Sequence, residues 1–557
     1  MNRLLGSLVP LLVFVGCGGG AASGPSGAGG GSGTGPTGGG PGNPTQAGDV
    51  QLDLDAQKIQ GFLFEPEALG RPGMPVVPPP KGPKLTLAQQ KQKFQVQKNP
   101  LLKQVEAAIY ASALYTESKN NAANASSLIA EGRDALREAA TAAGKQVDDT
   151  TLRLLAVYET TTEDWPAAEK AWEAWSAAAK KANPKDADLP EYLAWQVHAM
   201  LKQNKDQAAL ALVKSVTPDS NQPLLAYTIA WTKWRTNDQA GAWQALTTAA
   251  KGVWQGGRQE VDRDLLLFAG RSAAIPLAQA KADLYSAYKA TTPDGQYATL
   301  ARLGAQGYGY AGRWQEAIDA VDQALALNAP GMPANDRFVL PYSQADFAIR
   351  LDNPERSAKY AKIALDAVQA CDAKCGAKEK TEIVNRIAII ARLFHVLYAT
   401  TNDIRYYQPA NDIYIAVIPQ IADQGRRTEI NKDAGTLQQT FKTAKAGSGN
   451  HDRAAINALL SQHNQEIQAC YELGLLADPK LGGTVTVTVE SDNTGENKGV
   501  NLDPKPGVAG LSAVTTCIEP LARKWKLPKR GMAGSTRVKI SYNLTPPAPK
   551  RATAATP

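Results

Sequence analysis

The sequence predicts a mainly α protein, an irregular array of paired helices followed by a small α+β domain. Three observations carry this. From Thr86 to about residue 425 the chain is rich in Ala, Leu, Gln and Lys, with apolar residues at helical spacing. After Gly447 short runs alternate apolar and polar residues, the period of strands. Ahead of both lies a block of Gly, Pro, Ser, Thr and Ala with too little apolar surface to form a core. At 557 residues the chain is long enough for two or three domains with sizeable cores.

The N-terminal element reads as a targeting segment. An apolar stretch from Leu4 to Val15 follows one basic residue, Arg3. It is about twelve residues long, short for a bilayer span and suited to a signal-peptide core. A plain secretion signal cut near Gly16 is one reading. Val15-Gly16-Cys17 also resembles a bacterial lipobox, with Phe14 where Leu is usual. That resemblance implies removal of residues 1–16 and a lipid on the Cys17 thiol. Bacterial lipoproteins retained at the inner membrane favour Asp after that cysteine. Gly18 stands there instead, so the resemblance implies the inner leaflet of the outer membrane, facing the periplasm.

Residues 17–85 then read as a lipid anchor and disordered tether. No charged residue occurs between Gly18 and Gly48, and a Gly-rich chain of that length reaches about 30 Å r.m.s. and roughly 100 Å when stretched. "PGMPVVPPPKGP", residues 72 to 83, extends it as a stiffer polyproline-like spacer.

Residues 86–425 form the helical array. Its clearest unit is "LARLGAQGYGYAGRWQEAIDAVDQALALNAP", 300 to 330. Tyr308, Gly312, Trp314, Ala317, Val321 and Ala324 fall at the spacing of a two-helix repeat. Small Ala317 and Ala324 allow two antiparallel helices to approach, while the aromatics fill the space between them. "EDWPAAEKAWEAW" repeats the pattern at Trp165, Ala168 and Trp172. Further second-helix starts are expected around Ala208, Ala240, Ala358 and Ala410. These residues resemble the tetratricopeptide (TPR) superfamily, which implies an α-solenoid of stacked helix pairs with a binding groove. The intervals between units are uneven, so the array is irregular.

Several signals in this body are read as structural. "GYGYAG", 307 to 312, matches a dinucleotide fingerprint but follows no strand. His198 and His395 lie in helical runs with no carboxylate or cysteine at ligand spacing. Trp165, Trp172, Trp175, Trp231, Trp234 and Trp243 are expected mostly in the core. The chain has four His and no Ser/His/Asp setting, HExxH or P-loop. No catalytic, cofactor or metal residue is therefore assigned, and an enzyme is not expected; paired carboxylates are the arrangement that sequence leaves open.

Residues 426–447 read as a linker and 448–546 as the C-terminal domain, with a disordered tail at 547–557. "DRAAINALLSQHNQEIQACYELGLL" is an amphipathic helix, and "GGTVTVTVESD", "NTGEN" and "KGVNLD" are strand, turn and strand. "LSAVTTCIEPLARKWKL" is helical despite Pro520, and "STRVKISYNL" is a closing strand, which gives the order αββαβ. No later strand follows it; at a sheet edge it would be open to a partner segment, and the alternative is a central strand with the neighbouring basic residues serving only solubility. From Arg523 onward there are nine Lys or Arg and no acidic residue. Arg523, Lys524, Lys526, Lys529 and Arg530 are candidates for contact with an acidic segment. The net charge of +7 is mild for this length and gives no case for nucleic acid.

Besides Cys17 the chain has Cys371, Cys375, Cys470 and Cys517, an even set for an oxidising compartment. Three pairings are possible. Cys371–Cys375 and Cys470–Cys517 are favoured because each pair lies within one domain. The longer loop would contribute roughly 4 kcal/mol and the shorter about 2 kcal/mol. The three-residue spacing of Cys371 and Cys375 differs from thioredoxin-type pairs and suits a staple.

The last hundred residues carry a second resemblance. Cys470-Tyr471-Glu472, Leu475, Asp478-Pro479, Leu481 and Gly483, then Cys517-Ile518, Trp525, Pro528 and Val538-Ile540-Tyr542, are similar to the AgmX/PglI-type C-terminal domain, a relative of the TonB C-terminal domain. "ESDNTGENKGV" is more polar than that family's hairpin, and Leu527 stands where an aromatic is common. With the anchor and the helical array, the whole resembles the TPR lipoproteins of adventurous gliding motility. The resemblance implies a non-catalytic scaffold that binds other subunits of a trans-envelope machine, without cofactor or small-molecule substrate. The alternatives are a peptidoglycan- or carbohydrate-binding envelope protein and an assembly lipoprotein for a pilus or secretion system.

Overall fold

The computed structural model describes residues 49–62, 64–75, 77, 84–254, 256–272, 275–288, 295–371, 374–443, 453–507, 510–529 and 534–547. Cys17, the signal peptide, most of the tether, Arg530 and nearly all of the tail lie outside them. Helices dominate, with one small mixed sheet built near the two ends of the chain. The fold divides into two units. One is Phe62–Leu303 with Leu475–Pro479; the other joins the described residues up to Gly61 to Gly304–Gly474 and the chain from Lys480 onward.

The first unit contains α1 (Leu87–Val96), α2 (Pro100–Asn120), α3 (Ala125–Ala143), α4 (Asp149–Thr161), α5 (Trp165–Ala182), α6 (Leu189–Lys202), α7 (Asp206–Val213), α8 (Pro223–Arg235), α9 (Gln239–Lys251), α10 (Arg258–Arg271), α11 (Leu277–Tyr288) and α12 (Gly295–Arg302). The local chemistry that starts these helices is legible. Thr86 and Gln89 close a capping box on α1, and Asn99 caps α2 with Pro100 at its first position. Aromatic rings fill the spaces between helices. Trp172 stacks on Trp195 with centroids 6.1 Å apart, and Trp234 lies on Phe268 at 4.1 Å. Trp172, Trp175, Trp231, Trp234 and Trp243 are buried, as expected, and Trp165 is half-buried.

A repeated corner sets the helix register. Among the described residues, Glu163, Asn204, Asn237, Gly312 and Asp352 each have positive φ and each stand two positions before a helix. In every case the next residue's N–H returns to the preceding helix: Asp164 to Glu159 O, Lys205 to Met200 O, Asp238 to Lys233 O, Arg313 to Tyr308 O and Asn353 to Ala348 O, at 2.8–3.0 Å. The fourth residue of the new helix is then small and fully buried: Ala168, Ala209, Ala242, Ala317 and Ser357. Small side chains at this position let the two helices close on one another. Helices begin at Asp206, Gln239 and Pro354, close to the starts expected around Ala208, Ala240 and Ala358, and the corner fixes which neighbouring residue turns inward. Ala208 and Ala240 are exposed and Ala358 is half-buried. In Ala-rich runs several residues look equally suitable; the left-handed corner decides which one faces inward.

The second unit holds β1 (Val50–Asp53), β2 (Gln57–Gln60), α13 (Trp314–Ala326), α14 (Asp336–Arg350), α15 (Pro354–Ala370), α16 (Ala377–Thr401), α17 (Ile404–Val417), α18 (Gln424–Thr443), α19 (Arg453–Ser461), α20 (Asn464–Ala477), β3 (Gly483–Ser491), β4 (Asn497–Asp503), α21 (Ser512–Ala522) and β5 (Thr536–Thr545). Helix α16 is long and apolar enough to cross a membrane, but half of that stretch is buried, and it packs on α17. Within "GYGYAG", Gly309 serves packing. A side chain at Gly309 would run into the Phe347 ring.

Two expectations are corrected by the sheet, and a third by a helix. The strand order is β1-β5-β3-β4, with β2 also on β5. β3 pairs with β5 antiparallel along Gly483–Ser491, while β1 and β2 line its other side in parallel at Thr536–Lys539 and Tyr542–Thr545. β5 is therefore an internal strand, not an edge open to a partner. The strands that cover it come from residues 50–60, which were read as tether. Each is four residues long and mostly polar, a pattern with no strand signal of its own; the main-chain groups of β5 hold them in place. Residues 426–447, read as a linker, largely belong to α18, which buries Ile430 and Leu437.

Candidate functional site

The most elaborate polar arrangement of the first unit lies where an extended segment crosses its helices. Residues 64–69, "FEPEAL", form neither helix nor strand. Their partners are side chains of the array. The N–H groups of Glu67 and Ala68 both donate to the Tyr227 hydroxyl, at 3.0 and 3.2 Å. That hydroxyl donates in turn to Asp264 Oδ2 at 2.6 Å. One donor and two acceptor sites are thus all used, the full capacity of a phenol. Burial, followed by the Asp264 charge, pushes the Tyr227 pKa well above the usual phenol range, so its proton stays in place.

Asp264 is fully buried beneath this hydroxyl. It also accepts from Trp231 Nε1 at 3.0 Å and pairs with Arg263 at 2.7 Å. Burial raises its pKa to about 6 against the pull of Arg263, Tyr227 and Trp231. Arg263 divides its guanidinium between Asp264 and the Glu67 carboxylate, the latter at 2.6 Å. On α6, Lys202 pairs with Glu65, both largely withdrawn from solvent. The Arg271 guanidinium lies 5.0 Å from the centre of the Phe64 ring. Ala68 and Leu69 are buried. Gly257, at φ +76°, makes room for them: a Cβ there would collide with the Ala68 carbonyl. The cradle therefore reads main chain through one hydroxyl, two carboxylates through two cations, and a ring through a guanidinium. Further along, Met74 and Val77 pack against the core formed with Phe94, Tyr110 and Leu114.

The second unit has its own buried polar cluster. Glu466 on α20 accepts from Trp314 Nε1 at 2.7 Å and from Trp525 Nε1 at 2.8 Å. The His463 ring stacks on Trp525 with centroids 4.6 Å apart. Burial pushes the Glu466 pKa upward, but His463 and the two indole donors outweigh it and hold it below the usual glutamate value. This cluster joins α13 to α20 and to the segment after α21, and one carboxylate takes both indole donors. It is a structural clasp.

The residues singled out from sequence fall into three groups. Cys371 and Cys375 are paired, as are Cys470 and Cys517, with Cα atoms 6.1 and 5.5 Å apart. Arg523, Lys524, Lys526 and Lys529 are exposed on the segment after α21. They do not form an open basic strip beside a free strand: Arg523 pairs with Glu519 and Lys526 lies 3.4 Å from Glu496, while β5 is covered on both sides. His198 is buried between Trp165 and Trp195, and His395 packs by Tyr414. Among the described residues no group of three or more His, Cys, Asp or Glu is placed to hold a metal ion. Tyr227, Arg263, Asp264 and Lys202 were missed. The available signal was the pair of glutamates flanking Pro66 after an aromatic, set in a stretch otherwise read as tether.

No protein-family model matches the chain, and no curated protein matches it.

Proposed function

We propose that the chain is a non-catalytic scaffold of the cell envelope. In this reading Cys17 carries the lipid that holds it at the outer membrane, and the helical array and C-terminal domain bind other proteins of a trans-envelope machine. The resemblance to TPR lipoproteins and to TonB-like C-terminal domains favours gliding motility. The observation that carries the reading is the cradle around Tyr227, where helices hold an extended acidic segment by its main chain and by its charges. Recognition of extended segments is what a protein-binding helical array requires.

The sugar-binding alternative asks for exposed aromatic platforms. Trp172, Trp175, Trp195, Trp231, Trp234 and Trp243 are instead buried between helices, which weighs against it. Crosslinking the full-length protein in its native membrane and identifying the captured subunits tests the scaffold reading. Envelope proteins attached to residues 62–303 are expected, together with loss of membrane association in Cys17→Ser. Binding to purified peptidoglycan with no captured protein would overturn it.

A further inference from the structure

The segment seated in the cradle is covalently part of the same chain, so what the array holds is a self-ligand. Its seat has the features of a selective peptide site rather than of ordinary loop packing. A buried hydroxyl, oriented by a buried carboxylate, takes two successive main-chain N–H groups. Lys202 and Arg263 stand on different helices and each takes one glutamate, Glu65 and Glu67. These carboxylates flank the buried Pro66, whose ring keeps φ near that of an extended chain and lowers the entropy lost on docking. Gly257 adds a steric fit to the backbone of the bound segment.

We propose that this cradle is a binding site for an extended acidic segment of a partner protein, of the chemistry aromatic–Glu–Pro–Glu–small–apolar, and that residues 64–69 occupy it in cis until such a segment displaces them. The proposal rests on the scaffold reading and names the class of ligand. The occupant is set by charge and shape. Two cations about the main-chain clamp call for two carboxylates on either side of one residue, and the Arg271 guanidinium calls for a ring ahead of them. A tethered self-ligand acts at high effective concentration, so an untethered peptide competes poorly until the strap is weakened.

The test uses the full-length chain and a fluorescent peptide copied from residues 62–70, FLFEPEALG. Anisotropy titrations compare wild type with Glu65→Lys/Glu67→Lys, which sets the strap against Lys202 and Arg263 while leaving the cradle intact. The double variant is expected to bind the peptide at least tenfold more tightly than wild type. A peptide with both glutamates changed to lysine should lose that binding, a control that alters no residue of the protein. Tyr227→Phe in the double-variant background should weaken binding about tenfold, with melting measured alongside. A folded double variant that binds neither peptide, or both equally, overturns the proposal. So does a double variant that dimerises without gaining peptide binding, because the cradle would then serve exchange between copies. Loss of this titration while native crosslinks to envelope proteins persist would leave the scaffold reading standing and remove only the cradle.

Discussion

At the residue scale, the informative side chains are buried polar ones whose partners decide their protonation. His198 lies between Trp165 and Trp195, and its Nδ1 has no hydrogen-bond partner among the described residues. Burial, then the nearby Lys202 charge, lowers its pKa from 6.5 to about 3. As pH falls below about 6.5 the unfolded chain takes up this proton and the folded chain does not. The stability linked to His198 is thus complete above pH 6.5 and is lost as pH falls toward 3. The loss is about 2 kcal/mol by pH 5. Melting between pH 7 and pH 5 should show this slope in wild type and a shallower one in His198→Gln; equal slopes would mean that the ring is protonated within the fold. Ala317 gives a test of packing without titration. It is fully buried, and a Cβ built on Gly304 would press on its carbonyl. Ala317→Glu buries an unpaired charge and should cost several kcal/mol, on the order of 3 or more. An unchanged melting curve would place Ala317 at the surface.

At the scale of elements, the left-handed corner makes a sharper claim than composition does. Ala208 and Ala209 are neighbours with the same side chain, yet the first is exposed and the second fully buried. Ala208→Glu is therefore expected to change stability by less than about 0.5 kcal/mol, and Ala209→Glu by several-fold more. Urea titration of both variants checks the register; similar losses would show that the corner does not set it. The sheet offers a second test. β1 and β2 pair with β5 along Thr536–Lys539 and Tyr542–Thr545, most of one side of that strand. Deleting residues 50–60 should expose that edge, lower the melting temperature of the second unit and promote self-association. A deletion variant that stays monomeric with wild-type melting would make these strands dispensable. Between α20 and α21 the Cys470–Cys517 bond closes a loop of sequence separation 47. Reduction, or replacement of both cysteines by Ser, is expected to cost about 4 kcal/mol in the chain-entropy account, read as a shift in the denaturant midpoint.

At the scale of the whole molecule, the C-terminal 110 or so residues are not a detachable module. Trp314 on α13 and Trp525 after α21 share the Glu466 carboxylate, and Asp403 before α17 accepts the Lys529 N–H at 3.1 Å. Removing residues 448–557 would leave Trp314 without its acceptor and residues 50–60 without β5. The truncated chain is expected to lose cooperative unfolding in its second unit and to keep that of α1–α10, which two-transition calorimetry or limited proteolysis would separate; a truncation with both transitions intact would refute this. Much of the architecture was legible in the sequence because it depends on neighbours in the chain. Helical spacing revealed the array, alternation revealed β3 and β5, and domain membership revealed the two cysteine pairs. Small residues at helical spacing pointed to helix starts near Ala208, Ala240 and Ala358, while the caps and left-handed corners that fix those starts act within a few positions of themselves. The covering of β5 by β1 and β2, the phase of the Ala-rich helices and the cradle around Tyr227 were decided only by the tertiary structure. Their energy comes from groups far apart in the chain: Glu67 finds Arg263, and Val50 finds Thr536. A local pattern carries no record of such partners, because a short polar segment becomes a strand or a ligand only when distant main-chain and charged groups are held ready to meet it.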